Sequence, residues 1–276
     1  DRFFGNYGGA IDYFTHKPGV GDAVARDLYE GEVPVERVGY YTQLLADEAT
    51  RWIGERSAAQ PFFLSLHFTA PHWPWVGPED EEISLGLKDL FHYDGGNLAT
   101  YARNVRSLDK AVGQVLDVLK AQGLADNTIV VFTSDNGGER FSKTWPFTGQ
   151  KTELLEGGIR VPTLLRWPAR IAPQVSDQVT ATMDWLPTLL AAAGVAPDAD
   201  YPPDGESILP VLLGEAPAHP RTLFWRYKSQ HQRAVREGRF KYLRINDNEF
   251  LFDVEADTLE RTNLRDKHPE VFDRLR

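Results

Sequence analysis

An apolar run, Thr128 to Thr133, ends in Asp135-Asn136-Gly137-Gly138, and the stretch from Ser134 to Pro162 constrains this chain more than any other. The run, Thr-Ile-Val-Val-Phe-Thr, has the length and β-branched content of a buried strand. A strand that stops in Asp-Asn-Gly-Gly carries a carboxylate and a carboxamide at its C-terminal tip, the edge at which open α/β sheets bind ligands. Two neighbouring oxygen side chains suit a hard divalent cation such as Ca2+ or Mg2+. Lys151 follows in Gly149-Gln150-Lys151, and Glu156-Gly157-Gly158-Ile159-Arg160-Val161-Pro162 leads into a second apolar run that closes at Trp167. Taken singly, these residues also have plain structural readings. Asp135-Asn136 is an Asx turn, Lys151 is a solvated loop lysine, and Glu156 and Arg160 form a buried ion pair that shapes the turn between them.

The flanking pattern predicts an α/β layered core with a mostly parallel central sheet. Apolar positions on one face place a helix over about 38–56. Pro61 then opens a strand, Phe62 to Phe68, which ends at Ala70-Pro71-His72; His67 reads as a core side chain within it. Residues 77–96 read as an irregular rim loop. Leu98, Tyr101, Val105, Leu108, Val112, Val115 and Leu119 alternate spacings of three and four and predict a helix over 98–121, stopped by Gly123. A shorter helix is expected over 184–193, closed by Gly194. The proline-rich stretch 196–220 reads as a linker. Beyond it, short strand-like runs at 221–227, 232–236, 240–245 and 250–252 predict a small antiparallel sheet, turned by Gly238 and Asn246-Asp247-Asn248. A helix over 269–276 ends the chain. The expected division is a core at 1–195, the linker, and a C-terminal α+β subdomain at 221–276.

The order S-D-N-G, G-Q-K, E-G-G-I-R-V-P, preceded by Ala70-Pro71-His72-Trp73-Pro74, resembles the sulfatase family of the alkaline-phosphatase-like superfamily. The resemblance implies that Asp135 and Asn136 are ligands of one divalent cation, Ca2+ most often, with Mg2+ also compatible. It implies that Lys151 contacts an oxygen of a bound sulfate ester. It implies the same for His72, which would also serve as the acid that protonates the leaving oxygen; the alternative is a structural histidine stacked between Trp73 and Trp75. The family nucleophile is a formylglycine made from Cys or Ser in a C/S-x-P-S-R segment. This chain has no Cys and no such segment. The remaining acidic metal ligands, an Arg, a further Lys and a further His are also without matching motifs. A start at Asp1-Arg2-Phe3 resembles the interior of a sulfatase, so a preceding segment that carries the nucleophile is expected. Strand edges and apolar helix faces left uncovered here would then be covered by that segment or by another copy of the chain.

Three functions therefore stand at this point: a sulfuric ester hydrolase, a phosphodiester or phosphonate monoester hydrolase of the same superfamily, and an inactive fragment or pseudo-enzyme. A net charge of −10, from 30 basic and 40 acidic residues, opposes a nucleic-acid partner. No apolar stretch approaches the roughly 20 residues of a membrane-spanning helix. The expected partner is a small-molecule or carbohydrate sulfate ester.

Overall fold

The computed structural model describes residues 2–18, 26–88 and 96–276. It divides into two compact units, Asp1–Thr128 and Ile129–Arg276.

The first unit opens with a small antiparallel sheet, β1 (Phe4–Gly5), β2 (Tyr29–Glu30) and β3 (Val33–Pro34). Its core gathers Ile11, Tyr13, Leu28, Tyr40, Tyr41, Leu45, Ala70 and Val76, with Tyr13 and Tyr40 stacked at 5.1 Å. Tyr40 and Tyr41 lead into helix α1 (Tyr41–Gly54), whose inward face is Leu45, Ala46, Ala49 and Ile53. A second, six-residue helix, α2 (Glu81–Gly86), lies inside the stretch expected to be irregular; 89–95 of that stretch lie outside the described residues. Ser84 Oγ donates to Asp12 Oδ2 at 2.7 Å, which ties α2 to the core and accounts for its order.

Helix α3 spans Leu98–Ala121, as the periodicity predicts. Asn97 caps it, accepting from the Ala99 and Thr100 amides at 2.8 and 3.0 Å, while Thr100 Oγ1 accepts from the Asn97 amide at 2.7 Å. This reciprocal box satisfies amides that a helix start leaves without partners. Asn97→Ala is expected to lower stability by about 1 kcal/mol, measured by urea denaturation. Arg103 on α3 grips the buried Asp80 carboxylate through Nε and Nη2, at 3.2 and 2.6 Å.

Residues 62–68 are the first departure from expectation. They are extended, and exposure alternates along them: Leu66 and Phe68 pack on the core, while Phe63 is 74 % exposed. No neighbouring strand pairs with them among the described residues. His67 falls on the outward register and is exposed, not core; its Nε2 lies 2.7 Å from Ser65 Oγ.

In the second unit, β4 (Val130–Phe132) pairs with β5 (Leu164–Arg166), and the pairing is antiparallel. Every strand pair among the described residues is antiparallel, so the expected parallel central sheet is not formed by them. The cause lies in the connection. A parallel pair needs a crossover, usually a helix, whereas 133–163 holds only the four-residue α4 (Glu156–Ile159) and folds back on itself. Phe132 and Leu164 are 38 % and 65 % exposed, so the pair leaves apolar side chains uncovered.

Helix α5 (Trp185–Ala193) ends at Gly194, whose φ of 70° is the left-handed conformation expected of a helix-terminating glycine. A further short helix, α6 (Leu209–Leu212), sits in the proline-rich stretch. The predicted C-terminal sheet is present as four antiparallel strands in sequence order: β6 (Thr222–Tyr227), β7 (Gln232–Glu237), β8 (Phe240–Ile245) and β9 (Asn248–Asp253). Helix α7 (Pro269–Leu275) covers part of one face, packing Leu275, Val271 and Phe272 on Tyr242 and Leu251. The opposite face places Ala234, Leu243 and Phe252 against Leu154, with Leu155 and Ile159 beside them. No helix among the described residues is long and apolar enough to cross a membrane.

Candidate active site

The tip of β4 is held by main-chain contacts. Gly137 N–H donates to Gly158 O at 2.9 Å, and Lys151 N–H donates to Gly138 O at 2.9 Å. The approach is close enough to exclude side chains: a Cβ on Gly137 would lie 1.9 Å from Gly157 O, and one on Gly157 would lie 2.3 Å from Gly149 O. Gly137 and Gly157 are thus required by backbone packed on backbone. Asp135, Asn136 and Lys151 consequently share one loop framework.

Asp135 is exposed and Asn136 half-buried. Asp135 Oδ1 accepts from the Asn136 amide at 2.9 Å and from Ser134 Oγ at 3.4 Å. Asn136 Nδ2 donates to Gly137 O at 2.9 Å, which turns its Oδ1 to the other side. Asp135 Oδ2 and Asn136 Oδ1 accept no hydrogen bond from the described residues. Two adjacent hard oxygens without donors are the right chemistry for part of a Ca2+ or Mg2+ shell. They are not a complete set, since no group of three His, Asp or Glu gathers among the described residues. Lys151, about one-quarter exposed, lies 4.0 Å from the Glu139 carboxylate.

The loop that carries Lys151 is fastened to the C-terminal sheet. Gln232, buried on β7, donates Nε2 to Thr152 O at 3.0 Å and accepts the Leu154 amide on Oε1 at 2.9 Å. Thr148 Oγ1 donates to Leu259 O at 2.6 Å. At the start of α4, Glu156 is 2 % exposed, and its principal partner is not Arg160, which stands 3.9 Å away and half-exposed. Lys241 of β8, fully buried, donates to Glu156 Oε1 at 3.0 Å and lies 2.8 Å from Glu260 Oε1. Glu260 Oε2 accepts the Glu156 amide at 2.7 Å. The Lys241–Glu260 approach is charge attraction without hydrogen-bond direction, because Glu260 Oε1 has no hydrogen-bond partner. Burial pushes the Glu260 carboxyl upward, and Lys241 opposes that shift. Arg160 instead places its guanidinium over the Phe147 ring at 4.5 Å. Sequence reading missed Lys241 and Gln232. The signal for Lys241 was present, since it shares the inward register with Leu243 on a strand whose alternation is clear.

His72 belongs to the first unit. Its ring Nδ1 lies 2.9 Å from Trp73 O. A carbonyl only accepts, so Nδ1 carries the proton and Nε2 is the basic nitrogen of the neutral ring. Its own carbonyl accepts Tyr13 Oη–H at 2.9 Å, and its amide donates to Thr69 O at 2.8 Å. The ring packs on Trp73 with centroids 4.5 Å apart, and Trp73 and Trp75 are both buried. Trp145, in contrast, is 75 % exposed.

The strand tip and the Lys151 loop, joined through the backbone, bring together Asp135, Asn136 and Lys151, the residues that the ordered sequence motifs single out. The family model described as Sulfatase matches residues 2–195, and this chain belongs to the sulfatase family. The model described as N-sulphoglucosamine sulphohydrolase, C-terminal, matches residues 149–275. Among curated relatives, the uncharacterized sulfatase YdeN of Escherichia coli (strain K12) is 31 % identical over 223 residues, 78 % of this chain and 39 % of the relative. The N-acetylgalactosamine-6-sulfatase of Mus musculus is 33 % identical over 258 residues, 87 % of this chain and 47 % of the relative. The solved structure of Ps i-CgsB in complex with k-i-k-neocarrahexaose matches all of this chain and 64 % of its own, with a TM-score of 0.84 at 26 % identity. The chain thus spans less than half the length of these two curated relatives.

Proposed function

We propose that this segment supplies part of the active site of a sulfuric ester hydrolase whose substrate is a sulfated carbohydrate. The observation that carries the reading is the Lys151 N–H to Gly138 O bond of 2.9 Å, which couples the Lys151 loop to the Asp135-Asn136 tip. Asp135 and Asn136 would hold a divalent cation, Ca2+ before Mg2+, which when bound polarises sulfate oxygens and favours attack on sulfur. Lys151 sets its ammonium against a sulfate oxygen and offsets the charge that grows as the S–O bond breaks. His72, protonated on Nε2 at the moment of transfer, gives that proton to the leaving alcohol oxygen, while Nδ1–H on Trp73 O holds the ring. The nucleophile is not among these residues, since the chain has no Cys and no C/S-x-P-S-R segment; a formylglycine outside this segment completes the reading. The oligosaccharide in the Ps i-CgsB complex supports the carbohydrate class. In the same reading, the fold includes a mostly parallel central sheet, and the segment divides as a core over 1–195, a linker and a C-terminal subdomain.

The test is parallel kinetics on an aryl sulfate and an aryl phosphodiester, with the longest polypeptide that carries this segment. Faster turnover of the sulfate is the expected result. Faster turnover of the phosphodiester would assign the site to the other branch of the superfamily, and no turnover of either would make the chain a pseudo-enzyme.

A further inference from the structure

We propose that the β6–β9 sheet carries a second anion-binding site, a cross-strand row of Arg226, Arg233 and Arg244 that takes a sulfated glycan strand. The register places these three directly opposite one another on adjacent strands: Arg226 faces Arg233 across β6 and β7, and Arg233 faces Arg244 across β7 and β8. Directly paired residues share a face, so the three guanidinium groups line one side of the sheet, spanning about 10 Å at the usual interstrand spacing. Like charges directly opposite cost stability. The cost is not imposed by composition, because acidic residues outnumber basic ones 40 to 30.

The row is also poorly compensated. Arg226 and Arg233 are exposed and make no ion pair among the described residues. Arg244 gives Nε to Asn246 O at 2.7 Å and only approaches Asp247, itself fully exposed, at 3.6 Å. Glu249 stands opposite Arg244 on β9, but its Oε1 already accepts Tyr242 Oη–H at 2.8 Å and pairs with Arg276 at 3.1 Å. An open cavity of about 240 Å³ lies over the row, and Phe224, two residues from Arg226 on the same face, is 72 % exposed beside it. Side chains alternate across a strand, so this face is opposite to the one that packs on Leu154 and fastens the Lys151 loop. The row is therefore separate from the proposed active site.

Guanidinium forks match the paired oxygens of sulfate and phosphate, and the Phe224 ring offers its π face to the C–H face of a sugar. Anion binding stands on the row alone; the sulfated-glycan class rests on the proposed function.

The experiment is calorimetric titration of the chain with dextran sulfate, unsulfated dextran and oligo(dT), at two salt concentrations. Dextran sulfate is expected to bind, more weakly in high salt, and Arg226→Gln/Arg233→Gln to lose affinity by about tenfold for each arginine removed. Lys120→Gln, at the exposed end of α3, is expected to bind as the parent does, and Arg233→Gln to melt at or above the parent Tm. Unchanged binding by the double variant, equal binding of unsulfated dextran, tighter binding of oligo(dT), or a clear drop in the Arg233→Gln Tm would each overturn the site. Dextran sulfate binding by a polypeptide with no sulfatase turnover would leave the row standing and remove the active-site reading instead.

Discussion

Lys241→Ala is expected to destabilise the second unit by about 3–5 kcal/mol, the usual cost of removing one partner from a buried ion pair. Lys241 is fully buried between Glu156 and Glu260, and its loss strands two carboxylates in a dry interior with one amide, that of Glu156, still donating to Glu260. Arg236, 3.8 Å from Glu156, is too distant to replace it. Replacing all three charges together, as Lys241→Met/Glu156→Gln/Glu260→Gln, should cost much less, because no charge is left unpaired. The pH dependence has a definite sign. Burial raises the Glu260 carboxyl above its ordinary 4.5 even with Lys241 present. A raised folded-state value gives stability that is complete below the unfolded value and lost as pH rises through the folded one. Without Lys241 the folded value climbs further, so the deficit of Lys241→Ala should be larger at pH 7 than near pH 4.5. Urea denaturation at both pH values measures it. A deficit under about 1 kcal/mol, or one that ignores pH, would mean that Lys241 contributes little to the fold.

Asp135→Ala, in a polypeptide that also carries the nucleophile, should lower kcat/KM for an aryl sulfate by about 10²–10³, the effect of removing one preorganised electrostatic contact from an active site. Stability should barely change. Asp135 is exposed, and its bonds run only to the adjacent Ser134 and Asn136. Asp135→Asn separates the two contributions, keeping a local acceptor and deleting the charge. It should share the catalytic loss. Equal turnover by parent and alanine variant, with intact folding, would remove Asp135 from the chemistry.

Local signals wrote most of the regular structure. Helix α3 begins and ends where Asn97 and Gly123 place it, and the four C-terminal strands follow from alternation interrupted at Gly238 and Asn246, which take φ of 56° and 51°. Pairing partners were less legible, because they depend on residues far apart in the chain. Phe62–Phe68 has strand composition yet no ladder among the described residues, and the antiparallel pairing of β4 with β5 was not legible in the sequence. The exposure of His67 was readable from parity, since it alternates with Leu66 and Phe68. The ordered motifs indicated the grouping of Asp135, Asn136 and Lys151, but not the means of holding it. Gln232 and Lys241 act from roughly 80 residues downstream, through a register that only folding defines.

Peptide-to-peptide bonds, Lys151 N–H to Gly138 O and Gly137 N–H to Gly158 O, join the Lys151 loop to the strand tip, while the buried Gln232 side chain holds Thr152 O and the Leu154 amide from the C-terminal sheet. Every residue type except proline presents the same amide and carbonyl. Exposed side chains of the same stretch, such as Lys143 and Trp145, can therefore be exchanged without breaking these main-chain bonds.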